Sequence, residues 1–292
     1  MKKILVSLLL IAFLLPMVAF ADNELYTIRT LLPNEQYLIR TKLKGEWSSN
    51  APNITEVNTD GVVTALSEGE AVITLINKGK SVLTRSFQVK VNLPVPEEIT
   101  AAIDLALSEW EIASGSGFKR NNKYTIWYYG PNASFGWCGA FTSYSLGEAG
   151  VPQASTDTYS KLTPLPDGQP YGVREAGVPK LLTGYTNIDR ITNIPRPGYL
   201  AIYGDRGGYK TKHVGLVTRV EDRGDGIYLL ETVEGNLSSR IKRLTYLYDS
   251  KMKDPQRNMS MLPEEEQVNT EVFQYRLSSE DWRVTAFAQT WY

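Results

Sequence analysis

This 292-residue chain has a single cysteine and a single histidine. One cysteine leaves no partner for an internal disulfide. Zinc hydrolases draw on several His or Cys ligands, and this chain cannot supply them. Charge of one sign is not in excess: 31 basic residues face 32 acidic ones, for a formal net charge of −1. That balance argues against nucleic acid or an anionic membrane as the main partner. After the first 21 residues, no stretch approaches the ~18 continuous apolar residues of a membrane span. Walker and dinucleotide fingerprints are missing as well, and no cofactor is expected.

The beginning of the chain carries an address. Lys2 and Lys3 precede an apolar run from Leu5 to Phe20, interrupted by Pro16, and Ala19-Phe20-Ala21 fits the small-x-small cleavage rule. Residues 1–21 therefore read as a secretory signal, and no stable membrane anchor is expected. A lone thiol in an exported protein is a candidate for reactivity.

Residues 24–92 read as all-β. Tyr37 to Leu43, Gly61 to Leu66, Ala71 to Ile76 and Ser81 to Lys90 are strand candidates, separated by turns at Thr59-Asp60-Gly61, Glu68-Gly69-Glu70 and Lys78-Gly79-Lys80. Short strands at this spacing predict a sandwich. Trp47-Ser48-Ser49, Asn53 to Val57, Asp60 to Ala65 and Gly69 to Thr74 together resemble the bacterial immunoglobulin-like group 2 domain. The resemblance implies an all-β, immunoglobulin-like sandwich serving as a spacer or a binding module.

Pro94 and Pro96 mark a linker at 93–97, because closely spaced prolines resist both helix and central strand. Beyond it, Ile99, Ile103, Ala106, Leu107 and Trp110 share a helical face over 97–112, with Glu97 and Glu98 at the positive end of the helix dipole. A second helix is expected from Cys138 to about Ala149. Strands follow at 199–203, 213–221, 227–234 and 240–248. Residues 152–196 read as irregular with a short helix near 155–162, and 251–292 as an extension of unclear role in which Phe273, Tyr275 and Leu277 alternate. Helices followed by a strand meander predict an α+β domain over 98–250 with an antiparallel sheet.

Cys138 and His213 allow only one thiol–imidazole pairing. At the first turn of a helix the dipole favours the thiolate, and an imidazole is its natural base. A hairpin centred between Gly224 and Asp225 sets His213 opposite Asn236 and Gly215 opposite Glu234, all on one face. Glu234 then reaches His213 over the gap left by Gly215 and accepts the Nδ1–H bond. A slip of one residue would turn it away. Asn236 is expected to support the imidazole or the substrate. Trp137 and Gly139, flanking the thiol, are candidates for substrate contact. Arg223-Gly224-Asp225 reads as a turn rather than an adhesion motif, and Ser116-Gly117-Phe118-Lys119 lacks the partner motifs of the penicillin-binding enzymes.

Trp137 to Tyr144, Pro197-Gly198, Lys212 to Val217 and Val233-Glu234-Gly235-Asn236, in this order, resemble the CHAP family of cysteine amidohydrolases and peptidases over roughly 98–250. The resemblance implies a papain-like α+β fold and cleavage of peptidoglycan amide bonds in the bacterial cell envelope, whether periplasm, wall or exterior. Cys138 would be the nucleophile, His213 the base, Glu234 its orienter and Asn236 a supporting group, with no metal. The chain departs from the family at Tyr199, where an acid often follows Pro-Gly. Three functions remain open from the sequence: a peptidoglycan amidase or endopeptidase, a thiol peptidase or amidase on a non-wall substrate, and a non-catalytic wall-binding or adhesion protein.

Overall fold

The computed structural model describes residues 28–39, 41–155, 170–204, 211–251, 258–260, 262–263 and 283–291. The leader at 1–21, nearly all of the short helix expected near 155–162, and Phe273, Tyr275 and Leu277 lie outside the described residues. The described part is an α+β arrangement of four helices over mainly antiparallel sheets. No helix among the described residues is long and apolar enough to cross a membrane.

The N-terminal unit holds seven strands: β1 (Arg29–Leu31), β2 (Gln36–Leu38), β3 (Glu46–Ser49), β4 (Thr55–Val57), β5 (Val62–Ala65), β6 (Gly69–Asn77) and β7 (Lys80–Val89). They form one sheet in the order β1-β7-β6-β3 and another in the order β2-β5-β4. Alternation along β6 buries Ala71, Ile73 and Leu75. Lys78 and Gly79 both take positive φ, the turn geometry that matches strand twist, and so close the β6–β7 hairpin. Val63, Ala65, Ile73, Phe87 and Val89 make the shared core, each large side chain contributing roughly 1.5–3 kcal/mol by leaving water. β1 pairs with β7 in parallel, so the unit is not purely antiparallel.

The larger unit opens with α1 (Glu97–Ala113), which follows Pro96 and carries Glu97 and Glu98 in its first turn. Asn122 caps α2 (Lys123–Tyr129) through a capping box with Thr125. Next come α3 (Cys138–Glu148), β8 (Gln153–Ser155), β9 (Gly172–Arg174), α4 (Val178–Asn187) and β10 (Ile191–Thr192). The described parts of 152–196 are thus less irregular than the sequence implies. Pro179 sits in the first turn of α4, where its missing N–H costs nothing.

Six further strands follow among the described residues: β11 (Leu200–Gly204), β12 (Thr211–Asp222), β13 (Ile227–Leu237), β14 (Arg240–Asp249), β15 (Met259–Ser260) and β16 (Arg283–Ala288). With β10 they build a seven-stranded sheet in the order β10-β16-β11-β12-β13-β14-β15, antiparallel throughout. The described end of the 251–292 extension joins the sheet: β16 inserts between β10 and β11, burying Phe287 and Ala288, and Trp291 donates to the Pro197 carbonyl at 2.8 Å. α3 packs against this sheet almost wholly buried. Close approach is possible because Gly235 has no Cβ; one there would meet Phe141 Cβ at 2.5 Å.

The two units are joined by more than the linker. Leu93 and Val95 pack against the larger core, and Ile194 enters the smaller one. Arg29 reaches Asp189 at 2.7 Å and Gln289, while Arg196 bonds Glu35 at 2.7 Å and the Thr30 carbonyl at 3.2 Å.

Candidate active site

Cys138 begins α3, as the helix pattern required, and lies 7 % exposed at the floor of a cleft of about 440 Å³. Gly136, Ala176, Val178, Pro179, Thr211, Lys212, His213, Asn236, Leu237 and Ser238 line that cleft. One wall thus comes from α4 and the turn before it, which the sequence did not mark as part of the site. Burial alone raises the Cys138 pKa. A hydrogen bond and charge from His213, together with the amides of Gly139 and Val214, outweigh burial and hold the thiol below its ordinary value.

His213 lies on β12, 4 % exposed, and its Nε2 sits 3.0 Å from Glu234 Oε2. The sequence had assigned the carboxylate to Nδ1. With Nε2 engaged by Glu234, Nδ1 is the ring nitrogen left for the thiol. Glu234 is fully buried on β13. Its Oε1 accepts from Tyr203 Oη at 2.8 Å and from Thr232 Oγ1 at 2.9 Å. A buried carboxylate without such donors would be costly.

The hairpin register holds at the site but not at the turn. Near the turn Val220 pairs with Leu230 and Asp222 with Tyr228, which centres the hairpin on Asp225 rather than between Gly224 and Asp225. A bulge at Thr218 absorbs the difference, and beyond it Leu216 pairs with Val233, the register expected from sequence. Glu234 then covers Gly215: a Cβ on that glycine would come 2.6 Å from Glu234 Cγ. The gap between His213 and Glu234 therefore depends on a residue with no side chain.

Asn236 follows a second irregularity, between Glu234 and Leu237 on the β14 side, and takes a positive φ of 60°. This turns it into the cleft wall, where its amide nitrogen is the nearest group to a Cβ built on Gly136. It faces the cleft, while Glu234 lies against the imidazole.

Two expected substrate contacts are corrected. Trp137 is fully buried, stacked on Tyr124 at 5.2 Å with an interplanar angle of 15°, and edge-on to Phe118 at 5.5 Å. Its bulk is better satisfied by that aromatic core than by an exposed cleft. Gly139 is covered by the turn before α4, since a Cβ there would lie 2.5 Å from the Ala176 carbonyl oxygen. It serves the site through its amide, which bonds the sulfur.

Sequence reasoning missed Tyr203, Thr232 and the Val214 amide. A usable signal existed for Thr232, two residues from Glu234 on the same strand face. Tyr203 carries no local mark of its partner. It pairs directly across from His213, the rings 6.1 Å apart. No protein-family model, curated protein or solved structure matches this chain.

Proposed function

We propose that the protein is an exported, cysteine-dependent peptidoglycan hydrolase of the CHAP type. On this reading its catalytic unit is papain-like, and its N-terminal β unit is an immunoglobulin-like spacer. The observation that carries the proposal is one connected arrangement: a helix-tip thiol held below its ordinary pKa by an imidazole, whose Nε2 lies 3.0 Å from a buried carboxylate, at the floor of a cleft. The leader-like start at 1–21 supports export, and the order Cys138, His213, Glu234, Asn236 supports the family. Peptidoglycan or its peptides are the proposed partner, with the amide being either N-acetylmuramoyl–L-alanine or a bond within the peptides.

In this mechanism the Cys138 thiolate attacks the amide carbonyl carbon and a C–S bond forms. The positive end of α3 steadies the oxyanion. His213, as imidazolium, gives its Nδ1 proton to the leaving nitrogen as the C–N bond breaks. A water then loses a proton to Nδ1 and attacks the thioester. Collapse restores the thiolate and imidazolium and releases a carboxylic acid, which gives its proton to the freed amine or to water. Glu234 holds the ring and balances its charge throughout.

The test is incubation of the mature protein with purified sacculi, following turbidity and new amino groups, with mass spectrometry of the released fragments. Release that disappears in Cys138→Ala and after thiol alkylation is expected. Thiol-dependent cleavage of casein with intact sacculi would move the function to a non-wall substrate. Sacculus binding with no new amines would make the chain an adhesion protein.

A further inference from the structure

Glu234 sits at the centre of a polar row that crosses four neighbouring strands. Tyr203 comes from β11, His213 from β12, Thr232 and Glu234 from β13, and Tyr246 from β14. Tyr203, Thr232, Glu234 and Tyr246 are all fully buried. Tyr203 Oη donates to Glu234 Oε1 at 2.8 Å, and the Tyr203 and Tyr246 hydroxyls lie 2.8 Å apart. An ionised carboxylate only accepts, so the single Tyr203 proton is committed to Glu234, and Tyr246 must donate to Tyr203. The hydrogen bonds therefore run one way, from Tyr246 to Tyr203 to Glu234, with His213 on the other carboxylate oxygen.

Packing alone does not account for this placement. The β11 ladder shifts register on both sides of Tyr203: between Ile202 and Tyr203 against β16, and between Tyr203 and Gly204 against β12. Bulges re-aim side chains, and here the re-aimed one ends on the carboxylate. A phenyl ring would fill the same volume and leave Glu234 Oε1 with one donor fewer.

We infer that Tyr203, backed by Tyr246, is a positioning residue that fixes the Glu234 carboxylate so that its second oxygen faces His213. The pair acts on the imidazole through Glu234 and does not touch substrate. Its effect has a sign. Donors on Oε1 draw charge away from Oε2. Removing one leaves a more negative oxygen beside the ring, which favours the imidazolium and makes it a weaker acid toward a leaving amine. The groups facing His213 are Cys138 from α3, Glu234 from β13 and Tyr203 across β11; Lys212 is its chain neighbour.

This inference deepens the proposed reaction, but its test needs no substrate. With one histidine in the chain, the imidazole nitrogen resonances of labelled protein belong to His213 alone. They are titrated in the full-length mature protein, its Tyr203→Phe, Tyr246→Phe and Thr232→Val variants, and a Tyr248→Phe control. Tyr248 lies on the same strand as Tyr246 and donates to the Asn193 carbonyl at 3.0 Å. The expected result is an upward shift of the His213 midpoint by about half a pH unit in Tyr203→Phe, smaller in Tyr246→Phe and absent in Tyr248→Phe. If Tyr203→Phe does not fold, Thr232→Val decides, because it removes the other donor from the same oxygen and should shift the midpoint the same way. Folded variants with no upward shift, or a Tyr248→Phe shift as large as that of Tyr203→Phe, would overturn the inference. Sacculi left intact by the wild type would instead count against the proposed substrate while the titration still reads the tyrosines. If sacculi are cleaved, Tyr203→Phe should lower kcat about tenfold with KM little changed, the loss of one charge-assisted hydrogen bond.

Discussion

Two clusters in this molecule bury charge to nearly the same depth. His213 and Glu234 are 4 % and 0 % exposed; Arg29 and Glu35, between the two units, are 3 % and 9 % exposed. The difference lies in what surrounds them. The first opens on a cleft of about 440 Å³ with a thiol at its floor, whereas the second encloses only about 10 Å³ and holds no nucleophile. Buried charge thus marks places where the fold is tightly specified, and chemistry requires in addition a reactive atom and a way in. The Arg29–Asp189 and Arg196–Glu35 pairs fix how the units sit together. The Cys138–His213 pair instead shares a hydrogen bond beside an open cleft.

The largest contrast should come from the reacting atoms. Cys138→Ala is expected to lower sacculus turnover by at least about 10³-fold, with a melting temperature close to that of the parent, since a small apolar group replaces the thiol. Alkylation by iodoacetamide offers a second view. Because the thiol pKa is lowered, the parent should be alkylated below pH 9 faster than an ordinary thiol, and His213→Ala should slow that reaction at neutral pH. Equal rates in parent and variant would remove His213 from the site.

Next comes Glu234→Gln, expected to cost about 10²-fold in kcat while the protein stays folded, because the amide keeps the shape but not the charge facing the imidazole. The matching substitution in the other cluster, Glu35→Gln, should leave kcat unchanged and alter the pH dependence of stability. Burial raises the Glu35 pKa, more than the Arg196 charge lowers it. A carboxyl whose folded pKa is raised contributes stability that is full below its unfolded pKa and is lost as pH rises through the folded one. The parent should therefore lose a few degrees of Tm relative to Glu35→Gln as pH rises from the ordinary carboxyl range toward neutrality. If Glu35→Gln slowed turnover as much as Glu234→Gln, the two clusters would not be functionally separate.

The two clusters also differ in how far they were legible. The thiol and the imidazole stood out because each occurs once, and Glu234 followed from period-2 alternation along β13, a rule that survives as long as the register does. The register survived only because the Thr218 bulge cancelled a misplaced turn centre. Local patterning carries no record of such compensation. Nor does it show which ring nitrogen meets which partner, or that Trp137 stacks inward on Tyr124, since both depend on how separate elements pack. The inter-unit cluster was invisible for the same reason: Arg29 and Gln289 meet across nearly the whole chain. α4 lay within a stretch that reads as irregular from its turn-rich composition, although Pro179 occupies the first turn, where a proline fits.

The smallest expected effect sets the scale for the others. Asp225 pairs with Lys251 at the tip of the β12–β13 hairpin, with its side chain 91 % exposed. The hydrogen bond and charge of Lys251 lower its pKa, so any contribution it makes is present at neutral pH and lost on acidification. Water and salt screen an exposed pair of this kind. Its φ of 53° is one that asparagine adopts readily, so Asp225→Asn keeps the turn while removing the charge. Between this tip and His213 lies the Thr218 bulge, where the ladder already breaks step and a small change in the turn can be absorbed. Turnover and Tm of Asp225→Asn should therefore match the parent at neutral pH, measured beside Glu234→Gln in the same assay. A loss as large as that of Glu234→Gln would mean that the tip and the site move as one rigid ladder. The alignment of Glu234 with His213 would then depend on the turn itself rather than on Gly215 and the bulge.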